Sequence, residues 1–317
     1  LHPPLFTVYG LAQGLSWEWI TSVSESPNGE LWVGTDGYGL NRLRGDVIRP
    51  ASEEAAITPL HVMTALADRQ GQVWLATRQG SLYQWKDNGA ARLADSPTNS
   101  SLVRSLFEDS QGTLWVGRFN TDRLLRLQNG TVGSLELPKS AGLLDVRVMA
   151  EDAGGGLWIG TDGSGLFHWQ EGQFTQFSRE TGLSSDLVWA LRPEADGTLW
   201  IGTYGGGLTR LRNGHTATCT TRHGLVDDVI CYIADDGRGQ YWLSSHQGIF
   251  RVSKNELNQF ADGAIGSIHC VSYGKSDGLP TRECKGGYQP AGCRGLDGRL
   301  WFPTLGGVAV IDPADAS

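Results

Sequence analysis

The chain has 317 residues, 44 of them glycine and 12 tryptophan, and its 26 Lys and Arg against 34 Asp and Glu give a net charge of −8. That acidic balance argues against nucleic acid as a partner, because such binding rests on clustered Lys and Arg, and it is neutral toward sugars, peptides and small molecules. No apolar run of about 18 residues is present, so no segment reads as a membrane-spanning helix. The opening Leu1-His2-Pro3-Pro4 has neither an initiator Met nor a signal-peptide pattern, and the chain is expected to be a mature fragment or an excised domain.

The first element is a strand at Phe6-Thr7-Val8-Tyr9. A phrase then begins that dominates the rest: Gly29-Glu30-Leu31-Trp32-Val33-Gly34-Thr35, recurring at Trp74, Trp115, Trp158, Trp200, Trp242 and Trp301 at intervals of 42, 41, 43, 42, 42 and 59 residues. A period in the forties signals repetition of one small supersecondary unit. The fifth unit shows its parts. Residues 187–192 are apolar and β-prone, Ala195-Asp196-Gly197-Thr198 is a tight turn, and 199–203 is a second strand. Tyr204-Gly205-Gly206-Gly207 is a loop, 208–211 a third strand, Asn213-Gly214 a turn, and 215–221 a weaker fourth strand. Four antiparallel strands in such a unit make a propeller blade.

The expectation is therefore one all-β domain over residues 1–317, a seven-bladed β-propeller of four-stranded antiparallel blades centred on the seven tryptophans, which fill the space between blades. Phe6-Thr7-Val8-Tyr9…Gly14-Leu15 parallels Phe174-Thr175-Gln176-Phe177…Gly182-Leu183, a fourth strand and inter-blade link. The N-terminal strand is thus expected to close the last blade and remove the open edges. The long last interval places an insertion within 253–288. Its first part, 253–263, reads as a helix with Ser253 and Glu256 as capping box and Gly263 as stop. The rest, around 279–288, is either a functional insertion or a structural plug beside the closure.

Cys219, Cys231, Cys270, Cys284 and Cys293 fit no zinc or redox motif. Buried free thiols are one reading; a Cys284–Cys293 disulfide is the shortest loop that a pairing would close.

Counting from each tryptophan aligns one rim of the ring. Four residues after it stand Asp36, Arg78, Phe119, Asp162, Tyr204, His246 and Leu305; eleven before it stand Thr21, Met63, Arg104, Arg147, Trp189, Cys231 and Pro290. The opposite turns are monotonous, whereas this rim varies from blade to blade, as a binding face would. Three readings compete. A polar ligand, such as an oligosaccharide, could be held by Trp17, Trp19, Trp189, Tyr204 and Tyr232 as stacking rings, by Arg104 and Arg147 as carboxylate or sulfate forks, and by Asp36, His61, Asp162 and His246. The bland alternative is that the arginines answer Asp145 and Asp186. A metal site, with Ca²⁺ the best-suited ion, could use Glu18, His61, Asp145, Asp186 and Asp228 and would polarise an ester, lactone or phosphoester, although Asp before a strand is also ordinary turn chemistry. A protein-docking face, including a homodimer, has no specific signal. No cofactor is expected. No GxSxG, HExxH, P-loop or dinucleotide fingerprint is present, and Gly34-Thr35-Asp36-Gly37-Tyr38-Gly39 has no helix to follow it.

The run Glu194-Ala195-Asp196-Gly197-Thr198-Leu199-Trp200-Ile201-Gly202-Thr203…Gly206-Gly207-Leu208 resembles the two-component regulator propeller repeat, as do residues 102–117 and 146–166. The links at 182–186 and 224–228 are similar to the family's inter-blade links. Asp277-Gly278-Leu279…Glu283-Cys284…Gly286-Gly287…Gln289-Pro290-Ala291-Gly292 with Leu300-Trp301-Phe302-Pro303-Thr304 resembles its closing blade. The resemblance implies a periplasmic or extracellular sensor region of a bacterial signalling protein, in which a small β-sandwich, a membrane helix and a kinase or cyclase output follow the propeller. Any membrane attachment would lie in such downstream segments. It also implies that glycans or their breakdown products are among the ligands, and it supplies no catalytic residues. The sensor is thus the leading reading and a metal-dependent hydrolase or lyase the runner-up. Ala76 in place of the usual glycine, and Arg118-Phe119-Asn120-Thr121-Asp122 in place of a Gly-rich loop, depart from the pattern, so the second and third blades are expected to be irregular.

Overall fold

A computed structural model of the protein describes residues 4–51, 61–86, 89–92 and 101–316; residues 1–3 of the opening segment lie outside the described residues. Its strands form seven four-stranded antiparallel sheets, the predicted seven-bladed propeller. Blade four is typical, running outward through Val146–Glu151, Leu157–Thr161, Leu166–Gln170 and Gln173–Phe177. Blade seven is assembled from both ends of the chain. It takes Cys293–Arg294, Leu300–Thr304 and Gly307–Ile311 from the C-terminal region and Thr7–Tyr9 as its outer strand, with Thr7 opposite Val310 and Tyr9 opposite Val308. The ring closes by a β-ladder, as its sequence parallel predicts.

The repeated phrase explains its own geometry. In four units an aspartate stands six residues before the tryptophan: Asp68, Asp109, Asp152 and Asp236. One carboxylate oxygen accepts two backbone N–H groups of the hairpin turn, as Asp109 does from Gln111 and Thr113 at 3.0 and 2.8 Å. In three of them the other oxygen accepts the indole N–H, from Trp74, Trp115 and Trp242. The tryptophan is thereby pinned between sheets, where ring burial supplies much of the cohesion between blades. The glycine two residues after it lets blades approach: a Cβ on Gly160 would stand 2.7 Å from Val188 of the next blade. Blades two and three keep all four strands despite their divergent loops.

The insertion divides into two parts. A helix, Lys254–Ala261, starts where Ser253 Oγ accepts the Glu256 N–H at 3.4 Å. It buries Leu257 against the core between blades five and six, and Arg210 holds its far end by bonds to Asn258 and Asp262. The second part, 284–292, crosses the central channel. The Gln289 backbone N–H donates to the Arg104 carbonyl at 3.0 Å, and its carbonyl accepts from Leu106 at 3.2 Å and from Thr64 Oγ1. Its side-chain amide bonds both backbone groups of Met149, at 2.8 and 2.7 Å. The Pro290 carbonyl accepts the Val23 N–H at 3.4 Å. One residue and its neighbour thus bridge the inner strands of blades one to four. Of the two readings left open above, the structure supports the plug. Glycines make its path narrow: a Cβ on Gly286 would stand 2.8 Å from Cys231, and one on Gly292 would stand 2.4 Å from Tyr232.

All five cysteines are free thiols, so the Cys284–Cys293 pairing is not formed; Cys284 instead bridges to Thr304 in the plug's first turn. Burial pushes Cys219, Cys270 and Cys284 up to about 12, and Cys231 and Cys293 are raised too.

Two outcomes are expected. Gln289→Ala leaves both backbone groups of Met149 unpaired and should lower stability by about 2–4 kcal/mol, measured by urea unfolding. Because thiolate is the reactive form, native protein at pH 8 should react slowly with a thiol reagent at all five cysteines and completely only after denaturation, as counted by intact mass.

Candidate functional site

In blades one to five the inner strand carries a bulge at the same place. The pairing skips one residue between Ile20 and Ser22, Val62 and Thr64, Val103 and Ser105, Val146 and Val148, and Val188 and Ala190. The skipped residues are Thr21, Met63, Arg104, Arg147 and Trp189, the positions eleven before the tryptophan. A bulge re-aims its side chain out of the sheet's alternation; Arg104, Arg147 and Trp189 reach the rim in this way, whereas Thr21 and Met63 are buried. The residue four after the tryptophan is brought beside it by one backbone bond to the segment leading into the inner strand. Asp36 donates to Trp19, Arg78 to His61, Asp162 to Asp145 and Tyr204 to Leu187, at 2.9–3.0 Å.

The structure sorts the predicted residues into three groups. Over blades one and two, Asp36 accepts from Arg78 at 2.6 Å and faces His61 Nδ1 at 2.9 Å. Beside them the Trp17 ring lies 4.9 Å from Tyr38 and 6.3 Å from Trp19, with Glu18 exposed. Over blades three and four, Arg104 lies between the Phe119 and Tyr288 rings, 5.6 and 5.3 Å from their centres, and donates to the Tyr288 hydroxyl at 3.1 Å. Its Nε is 3.4 Å from Asp145, whose other oxygen meets Arg147 at 2.9 Å. Burial raises the Asp145 carboxyl above its ordinary pKa, against the pull of Arg147 and then Arg104. Arg147 also binds the Asp162 carboxylate and the Gly287 carbonyl. These two arginines answer acidic neighbours and hold the plug, which is the bland reading, although with Asp162 and the plug in place of Asp186.

The third group encloses space. Asp162, Trp189, Tyr204 and His246 line a cavity of about 450 Å³ together with Leu187, Glu283, Lys285 and Gly286. The Trp189 ring is 4.6 Å from Tyr204 and 6.1 Å from His246, and Tyr204 is 5.9 Å from His246. Trp189 Nε1 donates to Asp162 at 3.4 Å, and the Arg147 guanidinium lies 5.9 Å from its ring. Lys285 is half-buried, and its ammonium is in no ion pair among the described residues. Such a site offers flat ring faces, one carboxylate already braced by arginine, and one cation in want of an anion.

Tyr232 lies elsewhere: it packs edge-on against Phe302 at 6.2 Å, under Gly292, and burial raises its hydroxyl pKa. The five metal candidates do not converge. Asp186 caps the turn at Arg179 and its carbonyl accepts from Gly163 and Gly165; Asp228 does the same for Thr221, Gly205 and Gly207. Asp145 is taken by two arginines, and His61 by Asp36. Among the described residues no group of three or more His, Cys, Asp and Glu could hold a metal ion. The rim residues missed from the sequence are Lys285, Glu283 and Gly286. The long last interval marked the segment that carries them, but nothing in it showed that the segment turns back across the channel.

Three stretches of the chain, residues 14–37, 97–117 and 182–205, match the two component regulator propeller model. No curated protein matches the chain. Among solved structures it resembles the extracellular domain of BT3049 from B. thetaiotaomicron, described as a hybrid two component system, with 23% identity and a TM-score of 0.81, covering 99% of this chain. The chain spans 42% of that domain's length. It also resembles virginiamycin B lyase from Staphylococcus aureus, at 14% identity and a TM-score of 0.71, over 96% of this chain and 98% of the lyase. At these identities the likeness shows the propeller fold. Among the described residues no helix is long and apolar enough to cross a membrane.

Arg147 is nine-tenths buried between Asp145 and Asp162. Arg147→Ala should cost about 3 kcal/mol at pH 7 by taking the cation from Asp162 and leaving buried Asp145 with Arg104 alone. Without the arginine the folded-state pKa of Asp145 lies further above its unfolded value. The penalty therefore grows as pH rises through that window and shrinks as pH falls below it. Urea unfolding at pH 4 and pH 7 should show the deficit narrowing at the lower pH.

Proposed function

We propose that this two component regulator propeller is the ligand-sensing part of a bacterial signalling protein on the periplasmic or extracellular side of the membrane. Its ligand is a polar, ring-bearing small molecule, a glycan fragment above all. The observation that carries this reading is the convergence of Trp189, Tyr204 and His246 with Asp162 and Lys285 on one cavity at the rim. Rings give sugar-sized faces to stack on, and the charged groups give direction and selectivity. The match to the two component regulator propeller model and the likeness to the extracellular domain of one hybrid two component system support it.

The cavity is also well placed for sensing. Its floor is Glu283, Lys285 and Gly286, the start of the plug whose far end bonds blades one to four. A ligand seated on Lys285 therefore touches the segment that ties the ring together. The reading needs no catalysis and no metal.

The test is a thermal melt and calorimetric titration against neutral and acidic oligosaccharides. A ligand at 100 times its Kd adds about 2.7 kcal/mol, which should raise Tm by a few degrees. Trp189→Ala and Lys285→Ala should each abolish the shift, whereas EDTA should leave it unchanged. A shift that survives both substitutions would place the ligand elsewhere, and loss of the shift on chelation would favour a metal-centred site.

A further inference from the structure

We propose a second binding site, for an uncharged saccharide, in the cleft between blades two and three on the face opposite the rim cavity. Six of the seven blade tryptophans are buried, and each rests against another ring. Trp32 meets Trp85 at 5.8 Å, Trp115 meets Trp169 at 6.1 Å, Trp200 meets Tyr241 at 6.0 Å, and Trp158, Trp242 and Trp301 meet His168, Tyr273 and Tyr9. Trp74 is the exception: it is half-buried and has no ring partner among the described residues.

The third blade offers no ring to cover it among the described residues. In blades two and four the third strand sets a tryptophan opposite the residue before the blade tryptophan, Trp85 opposite Val73 and Trp169 opposite Leu157. Blade three has Leu127 there, opposite Leu114. Blades one and five carry leucine there too, Leu43 and Leu211, but the tryptophans packed with them, Trp301 and Trp158, are covered by Tyr9 and His168. Beside the uncovered Trp74 stands a cleft of about 490 Å³ lined by Trp74, Leu114, Leu127 and a set of amides. That volume is in the range of small-molecule sites. The indole N–H is bonded to Asp68 at 2.9 Å, so the ring is held in place while its face borders the cleft.

The amides identify the ligand class. Gln70, Gln72, Gln84, Gln128 and Asn129 line the cleft. Gln84 donates to the Gln72 amide oxygen and Gln72 to Gln70 at 3.4 Å, forming a short relay with donors and acceptors left over. Each amide can both give and take a hydrogen bond, which matches a hydroxyl. Among the described residues no Lys or Arg lines the cleft, and the charged groups lining it are Asp68 and Glu108. An anionic sugar would be repelled, and a phosphate or sulfate would find no counter-charge. A flat aromatic face flanked by amides, with no cation, suits the apolar face and hydroxyl rim of a neutral pyranose.

The test is calorimetry and tryptophan fluorescence with maltotriose, cellotriose and xylotriose at up to millimolar concentration, with trigalacturonate as the charged comparison. At least one neutral trisaccharide should bind and change the emission, and trigalacturonate should not compete. Gln72→Leu and Gln84→Leu, which preserve volume, should each weaken binding tenfold or more, while Trp189→Ala and Lys285→Ala leave it unchanged. Urea unfolding checks that the leucine variants fold. Two results overturn the proposal: none of the neutral trisaccharides binds, or binding is lost in Trp189→Ala and kept in Gln72→Leu. The second would assign the sugar to the rim cavity and leave this cleft without a ligand, so the two sites fail separately.

Discussion

A closed ring of blades leaves one family of hydrogen-bonding groups without partners, those on the channel-side edge of each inner strand. Outer edges face water, but inner edges converge on a narrow axis where unpaired N–H and C=O groups cost as much as any buried polar group. Here residues 284–292 supply partners to several of them. Gln289 serves blades two, three and four through its backbone and its side chain together, and Pro290 serves blade one. The Ser105–Gln289 bridge is in effect a fragment of an extra strand laid along the inner edge.

Much of the candidate site follows from that choice. With the axis occupied, Arg104 and Arg147 are committed to Tyr288 and Gly287 of the plug as well as to Asp145. The open space moves off-axis, over blades four to six, where Trp189, Tyr204 and His246 meet the start of the same segment. Asp145 shows what this arrangement costs. Its burial would favour the neutral acid, and two arginines oppose that. Paired buried charges of this kind contribute little net stability but fix orientation strongly. In this case they orient the Asp162 carboxylate and the Trp189 ring at the cavity's edge.

Divergence between blades is equally informative. The second and third units keep their four strands although Ala76 stands at the close-approach position and Leu127 stands where blades two and four carry tryptophan. The backbone ladder tolerates both, because strand pairing depends on main-chain groups while inter-blade filling depends on side-chain volume. Both blades stay whole, with a cleft between them.

The fold was legible because it is repeated. Seven tryptophans at near-constant spacing, each with its turn and glycine, specify strand number, order and pairing through local chemistry alone, and the match of Phe6–Tyr9 to a fourth strand extends that logic to ring closure. Counting from the tryptophan also placed Asp162, Trp189, Tyr204 and His246 on one rim, since residues at one offset share one level of a regular array. The inner-strand bulges, the path of 284–292 and the place of Lys285 at the cavity were not legible. They depend on contacts between residues as far apart as Thr64 and Gln289, which no periodicity encodes. Asp186 and Asp228 looked like ligands and serve as turn caps because a carboxylate beside free backbone N–H groups bonds them first. The sequence by itself determined the ring and its rim. Tertiary structure decided which rim residues face open space and which are consumed in holding the axis, because that division depends on where an irregular segment finds the hydrogen-bond partners the ring leaves unpaired.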